Sequence, residues 1–382
     1  MRLQDIIAAL EDIAPPRLAE PWDKVGLHLG DPNQRVRRVL LCIDLTEAVV
    51  DEAVDLGANL IVAYHPPVFR PLERLVARSW KERALLHAIR RDVAIYSPHT
   101  ALDAAVGGLG DWLCQGLGAG DSKAITDRAR RPEQHRVIAL VEAAQAERVA
   151  DILLGALDRG QPVLTSEAVA TVRETARGKR SDALTRLEVL TSTRELAEIR
   201  RQLAGLRVGD QAPVKSLDVV GREPLATPQP PQGSGRIHTL HAPISPSTLV
   251  RRLKGLLRRK TLELAAPGSG ALTPNGPAPG KIQRVAVCPG AGGGLFESLR
   301  PERVDAYVTG EMRHHDVLAA VQRGQVVVLA GHTQTERPYL PTYRSRIVAA
   351  LRARGPKRAT GRRKLAVEVR VSKADRAPSR VV

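Results

Sequence analysis

The sequence of 382 residues predicts an α/β fold, in which two similar α/β halves form one discontinuous domain around an inserted α+β module. In the first and last thirds, short apolar runs that fit buried strands alternate with amphipathic segments that fit helices. Such alternation is typical of parallel sheets with right-handed crossovers. The middle third has a different pattern. A chain of this length corresponds to two or three domains at about 150 residues each.

The first third supplies three strands and three helices. The apolar run RVLLCIDL (38–45) predicts a buried strand, and TEAVVDEAVDLG (46–57) predicts a helix that Thr46 caps and Gly57 ends. The elements predicted next are a strand in ANLIVAYH (58–65), a helix in SWKERALLHAIRRD (79–92), a strand in VAIYSPH (93–99) and a helix in GGLGDWLCQGL (107–117).

The middle third contains an apolar strand followed by an amphipathic helix, twice over. The two copies are RVIALVEAAQAERVADILLGAL (136–157) and TRLEVLTSTRELAEIRRQLAGL (185–206). This doubled pattern predicts a small ferredoxin-like module. The proline-rich segment 223–235 predicts a linker that leaves the module, and the Gly/Pro-rich segment 263–280 predicts a mobile loop.

The last third repeats the strand–helix alternation of the first. Strands are predicted in RVAVCPG (284–290), VDAYVTG (304–310) and QVVVLAGH (325–332), with helices between them, then a helix in 342–355, a final strand in 364–372 and a frayed segment from Lys373 onwards. The predicted organisation is therefore an N-terminal half of the core in 1–130, an inserted module in 131–225, a C-terminal half in 226–372 and a basic tail in 373–382.

The composition excludes several classes of protein. Three cysteines without a CxxC pair argue against a disulfide scaffold, and no apolar run approaches the roughly 20 residues needed to span a bilayer. The opening residues 1–20 lack the apolar region of a signal peptide, so we expect a soluble, cytoplasmic protein without membrane contact. The net charge is +17, and the eleven Lys/Arg and two acids after Leu351 account for +9 of it.

The basic excess leaves nucleic-acid binding open but does not favour it. A second basic cluster lies in RRLKGLLRRK (251–260), and clusters of this kind hold phosphates by counterion release. The alternative is a solvated charged face. Aromatic residues make up only 3%, so stacking platforms for single-stranded nucleic acid are scarce.

Histidines and carboxylates collect where the predicted strands end. In parallel sheets, ligands bind beyond the carboxyl ends of the strands. Imidazole and carboxylate together suit Zn, Mn, Fe or Co, whereas calcium prefers oxygen ligands only. A lone histidine at a strand end is usually just a polar surface residue, but their convergence predicts a transition-metal site. The residues are Asp44, His65, His99 and Asp103 in the first third, and Glu311, His332 and Glu336 in the last.

Six segments resemble the GTP cyclohydrolase I type 2 homologue family, also called Nif-three-like. They occur in the family's order and cover most of both outer thirds; the middle looks like the family's PII/CutA-like inserted module. The segments are PWDKVGLHLGDP (21–32), LIVAYHPPVF (60–69), SPHTALDAAVGGLGDWL (97–113), VAVCPGAGGGL (285–295), DAYVTGEMRHHDVLAA (305–320) and GHTQTERPYLP (331–341).

The resemblance implies a site for two divalent metal ions per subunit. Its ligands would be the second histidine of a His-His pair, His65, the aspartate of an HTxxD motif, Asp103, and an HxxxE pair, His332 and Glu336. The first histidine of the pair is replaced by Tyr64, a poor neutral ligand because a phenol titrates near pH ~10. Tyr64 either does not bind the metal, so that water occupies the ligand position, or binds the metal as a phenolate.

Other residues near these motifs have weaker assignments. Glu311 is a candidate general base or a charge at a helix start, and His315 a candidate for orienting substrate or a ligand. His99 is expected to hydrogen-bond Asp103, and Asp23 to form a structural turn near the cleft. The glycines of GAGGG (290–294) form either a tight strand–helix turn or a phosphate cradle.

The leading hypothesis is a metal-dependent hydrolase of a nucleotide-like or phosphorylated small molecule, and the cyclohydrolase activity itself comes only from the resemblance. The alternative is a non-catalytic metal-binding regulatory protein whose inserted module senses a ligand. The resemblance also implies a closed homo-oligomer, a hexameric ring whose metal sites face an internal cavity.

Overall fold

The structure is a computed structural model. It describes residues 1–127, 134–156, 165–175, 178–206, 213–222, 232–268, 280–299, 302–354 and 367–379. The chain forms two compact units, of which the first comprises Met1–Ala129 with Pro230–Val382 and the second comprises Arg130–Gln229. Residues 223–231 of the predicted linker, 269–279 of the predicted mobile loop and much of the basic C-terminal region lie outside the described residues. Residues 233–235 of the predicted linker and 263–265 of the predicted loop instead belong to strands.

Unit 1 contains eleven strands and nine α-helices among its described residues. The strands are β1 (Gly26–Leu29), β2 (Arg38–Cys42), β3 (Leu60–Ala63), β4 (Ala94–Ser97), β5 (Gly120–Asp127), β10 (Gly233–Ile244), β11 (Glu263–Ala265), β12 (Ile282–Ala291), β13 (Ala306–Glu311), β14 (Val326–Leu329) and β15 (Glu368–Val371). The helices are α1 (Leu3–Ile13), α2 (Glu47–Asp55), α3 (Trp80–Arg90), α4 (His99–Ala104), α5 (Leu109–Leu117), α8 (Pro246–Leu257), α9 (Gly293–Phe296), α10 (His314–Gln322) and α11 (Leu340–Arg354).

The first sheet of unit 1 has the order β1-β4-β3-β2-β15. Strands β4, β3, β2 and β15 are parallel, and β1 is antiparallel to β4. Because side chains alternate along a strand, Leu41 packs on one face with α1 and α11, whereas Leu40 packs on the other with α2 and α3. Helices on both faces explain why these strands read as continuous apolar runs.

The second sheet has the order β11-β14-β13-β12-β10-β5. Its central strands β12, β13 and β14 are parallel, and β10, β5 and β11 are antiparallel to their neighbours. The predicted parallel strands are thus confirmed in both sheets. The strand patterns missed β1, β5, β10 and β11, which flank the parallel strands.

The two sheets exchange strands across the two parts of the chain. Strand β5 precedes the insertion but pairs with β10 in the second sheet, and β15 near the C-terminus pairs with β2 in the first. Each sheet contains three parallel strands that neighbour each other in chain order, β2-β3-β4 and β12-β13-β14, with an antiparallel strand beside the third. The carboxyl ends of both sets carry the residues of the candidate site.

Unit 2 is an antiparallel four-stranded sheet with two helices. Its elements are β6 (Gln134–Glu142), α6 (Ala146–Gly155), β7 (Thr165–Thr175), β8 (Gly178–Ser192), α7 (Thr193–Ala204) and β9 (Val214–Arg222). The strand order is β7-β8-β6-β9, and the buried side chains of β6 and β8 form a core with those of both helices. The predicted pair of strand–helix segments is present, and β7 and β9 complete the sheet.

The segment after β15 is fixed through Asp375, so the expectation that it frays from Lys373 is wrong there. The Glu52 carboxylate accepts hydrogen bonds from the backbone N–H groups of Lys373 and Ala374, and from the Ser372 hydroxyl. Asp375 is only 7% exposed and accepts the N–H of Ile43 at 2.7 Å. None of the helices in the described ranges is both long and apolar enough to cross a membrane.

Candidate metal centre

The candidate site lies in unit 1, at the carboxyl ends of parallel strands from both sheets. His65 follows β3, and Asp44 follows β2 by two residues. In the second sheet Glu311 ends β13, and His332 follows β14 by three residues. These strand ends are the ones predicted to carry the chemistry, and both sheets direct them to one place.

Three of the four predicted metal ligands come together. One ligand atom from each of His65, His332 and Glu336 lies within 4.8 Å of the others, so this cluster could hold a metal ion. Nε2 of His65 is 3.5 Å from Glu336 Oε2, and Nε2 of His332 is 3.4 Å from Glu336 Oε1. The carboxylate thus lies between two imidazole nitrogens.

Each imidazole of the cluster is held by a second carboxylate. His65 donates its Nδ1–H to Asp44 at 2.8 Å, and His332 donates its Nδ1–H to Glu311 at 2.9 Å. Because each carboxylate accepts the hydrogen bond of an Nδ1–H group, the Nε2 atoms that face Glu336 are the ones available as ligand atoms. Metal-binding histidines are usually oriented in this way, and the carboxylate also makes the imidazole a better ligand.

Two further observations fit a cation at this cluster. Oε2 of Glu336 is buried and has no hydrogen-bond partner in the described part of the chain, so a cation bound there would satisfy it. Gly290, with φ of +61°, lies against the cluster: a Cβ there would be 2.7 Å from Glu336 Oε1 and 3.3 Å from His332 Nε2. The donor set of two imidazoles and a carboxylate suits Zn, Mn, Fe or Co.

The electrostatics of the cluster favour positive charge at His65. Burial lowers the pKa of the imidazole, but its contacts with Asp44 and Glu336 outweigh burial and raise the pKa to about 10. Burial also raises the pKa of Asp44, but the hydrogen bond from His65 and the nearby Arg337 outweigh burial, so the pKa of Asp44 is below its usual value. The carboxylates therefore favour either a proton or a metal cation between them.

Asp103, the fourth predicted ligand, is outside the three-residue cluster. It lies in α4, and the hydroxyl of Tyr64 donates to its Oδ1 at 2.5 Å. Burial raises the pKa of Asp103 to about 7, against the hydrogen bond from Tyr64. Burial also raises the pKa of Tyr64 well above its ordinary value. Tyr64 is therefore a neutral donor to Asp103, whose assignment as a ligand stays a prediction.

His99 bonds to Asp23 rather than to Asp103 as expected. The Nδ1–H of His99 donates to Asp23 Oδ1 at 2.7 Å, and the Thr100 hydroxyl and N–H donate to Oδ2. Asp23 also accepts the N–H of Lys24 at 2.7 Å. The Asp23 carboxylate thus fastens the turn after residue 20 to the start of α4, which fits the predicted structural turn.

The C-terminal segment reaches the site through a contact that no sequence pattern predicted. Arg337 donates to Asp375 at 2.7 Å and lies 3.5 Å from Asp44, the partner of His65. The position of Arg337 next to Glu336 could have marked it as a residue of the site, but nothing in the sequence connects Arg337 with Asp375. The tertiary fold brings the end of the chain against this strand end.

The two candidate catalytic residues differ in position. Glu311 is exposed and bonds to His332, whereas His315 is in the first turn of α10, where its ring contacts His314. Their catalytic roles stay predictions. In the segment 290–294, the Gly292 N–H donates to the Glu311 carbonyl, and a Cβ on Gly292 would clash with Thr309 Oγ1. These contacts favour a closely packed turn over a phosphate cradle.

Comparison with known proteins places this chain among relatives that it matches over nearly its full length. Residues 1–360 match the model of the Duf34/NIF3 (NGG1p interacting factor 3) family. The chain is 34% identical to NIF3-like protein 1 of Bos taurus, over 92% of this chain and 88% of the relative. It is 30% identical to the GTP cyclohydrolase 1 type 2 homolog of Mycobacterium bovis, over 89% of each.

The structural comparison agrees with the sequence comparison. The crystal structure of a Bacillus cereus protein related to NIF3 aligns with a TM-score of 0.65 and 26% identity, over 100% of this chain and 99% of that chain. The predicted resemblance, drawn from six segments in the outer thirds, is therefore confirmed. The chain belongs to the Duf34/NIF3 (NGG1p interacting factor 3) family.

Proposed function

We propose that the protein is a metal-dependent hydrolase that acts on a nucleotide-like or phosphorylated small molecule. One observation carries the proposal: the Glu336 carboxylate lies between the Nε2 atoms of His65 and His332, and each of these imidazoles is oriented by a further carboxylate. A site with this second set of carboxylates is built to keep its ligand atoms in place.

His65, His332 and Glu336 would hold one divalent cation, and Asp103 would join them in holding a second. When bound, such cations lower the pKa of a bound water and polarise the bond to be cleaved. The chain's own residues supply the rest. Asp44 accepts the Nδ1–H of His65 and so orients this imidazole. Glu311 orients His332 in the same way, and because Glu311 is exposed, its carboxylate is also accessible to accept a proton from water. His315 would help to orient substrate.

The nucleotide-like substrate is supported by a relative's name. The Mycobacterium bovis protein is named a GTP cyclohydrolase 1 type 2 homolog, which refers to a reaction on a nucleotide. The net charge of +17 would attract an anionic substrate to the protein. Nucleic acid remains a less favoured partner, and cytoplasmic location remains a prediction.

A non-catalytic metal-binding regulator is the second candidate. It is favoured by the hydrogen bond between Tyr64 and Asp103, because that contact occupies the carboxylate that a second cation would need. Unit 2 would then act as the sensor. Its order of elements, βαββαβ, and its strand order β7-β8-β6-β9 support a ferredoxin-like, PII/CutA-like module.

Assembly into a closed homo-hexamer is part of the proposed function. The expectation rests on the family resemblance of the six sequence segments, and the ring would enclose the metal sites with their small-molecule substrate. We propose the same division of the chain as the sequence suggested, with core halves in 1–130 and 226–372 and the module in 131–225.

Metal-dependent turnover tests the choice between hydrolase and regulator. Chelator-treated protein should hydrolyse nucleotides or phosphorylated compounds only after Zn, Mn, Fe or Co is added back. Elemental analysis of wild type, His332→Ala and Asp103→Ala should show metal loss in both variants, with His332→Ala losing more because it breaks the three-residue cluster. Metal retention without turnover would favour the regulator. Equal metal content in wild type and Asp103→Ala would remove Asp103 from the site.

A further inference from the structure

The exposed aromatic side chains of this molecule all lie around the metal cluster, which consists of His65, His332 and Glu336. The chain has three Trp, five Tyr and two Phe, all among the described residues. All five tyrosines and Phe296 are buried, and Trp112 is half-buried. The exposed ones are Trp22 at 55%, Phe69 at 42% and Trp80 at 46%. A chain that is poor in aromatic residues therefore exposes them only here.

Trp80 forms part of a cavity that opens onto His65. The cavity has a volume of about 310 Å³, and Asp44 and His65 contribute to its lining together with Pro67, Trp80 and Lys81. The other lining residues, Leu45, Pro66 and Ala84, are apolar, and the polar ones include His65 of the three-residue cluster and its hydrogen-bond partner Asp44. An apolar cavity of about 300 Å³ or more with a few convergent polar groups is typical of small-molecule sites.

Lys81 provides a positive charge at the same cavity. Its Nζ lies 5.5 Å from the centroid of the Trp80 ring, and no carboxylate in the described ranges forms an ion pair with it. Arg83, two residues further along α3, is by contrast paired with Glu47. The Lys81 ammonium lies over the Trp80 ring and is available to pair with an anion.

The other two exposed aromatic side chains connect to the cluster by ring contacts. The rings of His65 and His99 are 5.5 Å apart, and that of His99 is 6.0 Å from Trp22. Trp22 in turn is 6.1 Å from Phe69. Aromatic surface thus extends outward from His65 by way of His99, in addition to the surface that Trp80 offers in the cavity.

We propose that the cavity between Trp80 and His65 binds the planar ring of a nucleoside monophosphate-like substrate, with Lys81 pairing with its phosphate. Aromatic faces bind rings of this kind by stacking, with little dependence on the identity of the base. The binding site would place the substrate beside the metal cluster, and Trp22 and Phe69 would extend the aromatic surface. This inference rests on the proposed function and adds the substrate class to it.

Calorimetric titration of the metal-loaded protein with three probes tests the site. Guanosine 5′-monophosphate carries ring and phosphate, guanosine the ring alone, and ribose 5-phosphate the phosphate alone. Trp80→Leu should weaken the two probes that contain the ring by about tenfold and leave ribose 5-phosphate unchanged. Lys81→Gln should weaken the two phosphate probes by about threefold to tenfold and leave guanosine unchanged.

Matched controls come from the far end of α3. Ile89→Ala shortens another exposed apolar side chain, and Arg90→Gln removes another exposed positive charge; both should bind all probes like wild type. Unchanged binding in Trp80→Leu, or no binding of either ring probe to wild type, overturns the inference. A change in molar mass in Trp80→Leu with unchanged binding would instead make Trp80 part of a contact between subunits and overturns it equally.

Metal content in the same samples separates failure of this inference from failure of the proposed function. If the protein retains its metal and hydrolytic activity but the Trp80→Leu variant binds guanosine 5′-monophosphate like wild type, the inference fails and the proposed function stands. If wild type carries no metal and shows no turnover, the proposed function fails whatever the probes do.

Discussion

Asp44 accepts the Nδ1–H of His65 at 2.8 Å, and this contact determines which nitrogen of the imidazole faces Glu336. The two residues follow neighbouring parallel strands, β2 and β3. Asp44 is itself 3.5 Å from Arg337, which Asp375 holds. The orientation of a predicted metal ligand therefore depends on contacts that extend to the C-terminal segment.

Replacement of Asp44 by Ala should weaken metal binding without unfolding the protein. The imidazole of His65 would lose the partner that fixes its tautomer and ring orientation, so we expect a loss of about 10- to 100-fold in metal affinity. Competition with a chelator measures the change. Asp55→Ala, at an exposed aspartate at the end of α2, is the control and should bind metal like wild type. Equal affinities for both variants would contradict the role of Asp44.

Tyr64 is expected to be a bystander in metal binding rather than a ligand. The phenol is buried and donates to Asp103, so loss of its proton would leave two negative groups together. Tyr64→Phe should leave the metal titration nearly unchanged, whereas Tyr64→His should tighten the second binding event. Calorimetric titration of the three proteins decides this. Loss of a binding event in Tyr64→Phe would identify the tyrosine as a ligand.

Asp23 should make the protein less stable as the pH falls into the acidic range. Burial alone would raise its pKa, but hydrogen bonds from His99, Thr100 and the Lys24 N–H lower the pKa below the usual value. A lowered folded-state pKa adds stability that is fully present above the unfolded pKa of about 3.9 and is lost as the pH falls through the folded value.

Thermal unfolding of wild type and Asp23→Asn between pH 7 and pH 3 measures this effect. At pH 7 the variant should be less stable by about 2 kcal/mol, since it loses hydrogen bonds to a charged acceptor. The difference should shrink as the pH falls below about 4, because wild type then loses its charge as well. A constant difference across this range would exclude the carboxylate charge as the cause.

Arg236 holds the end of α4, so even its replacement by Lys should be costly. Its side chain is fully buried, pairs with Asp111 and donates to the carbonyls of Ala104 and Ala105. Lysine retains the charge but lacks the planar set of donors, so we expect a loss of about 3 kcal/mol in urea denaturation. Arg90→Lys, on the exposed end of α3, should have no measurable effect. A stable Arg236→Lys variant would show that the guanidinium geometry is dispensable.

A closed hexamer is the expected state of the protein in solution. The mass of the chain is 41.4 kDa, and light scattering at micromolar concentration should report about six times this value. Chelator treatment should leave the mass unchanged, because the three residues that could hold the metal ion belong to one chain. A monomer at this concentration would contradict the prediction.

The apolar runs of the sequence predicted the parallel strands and the strand ends where a site could lie. Buried strands such as β3 (LIVA) and β14 (VVVL) consist of continuous apolar residues, as expected for a parallel sheet that is covered on both faces. Since parallel strands place their carboxyl ends at one edge, the apolar runs alone point to His65, Glu311 and His332 as residues of a site. Motif order in the two outer thirds also identified the family, which the match over residues 1–360 confirms.

Which strands pair outside their own half of the chain, and which polar groups meet, depends on the tertiary fold. Strands β5 and β15 exchange between the sheets, and no local pattern records this because strand pairing depends on distant partners. The bonds from His99 to Asp23, from Ile43 to Asp375 and from Tyr64 to Asp103 join residues that are 39 to 332 positions apart. Hydrogen-bond partners and pKa values are set by distances in space and by burial, and a sequence pattern contains neither.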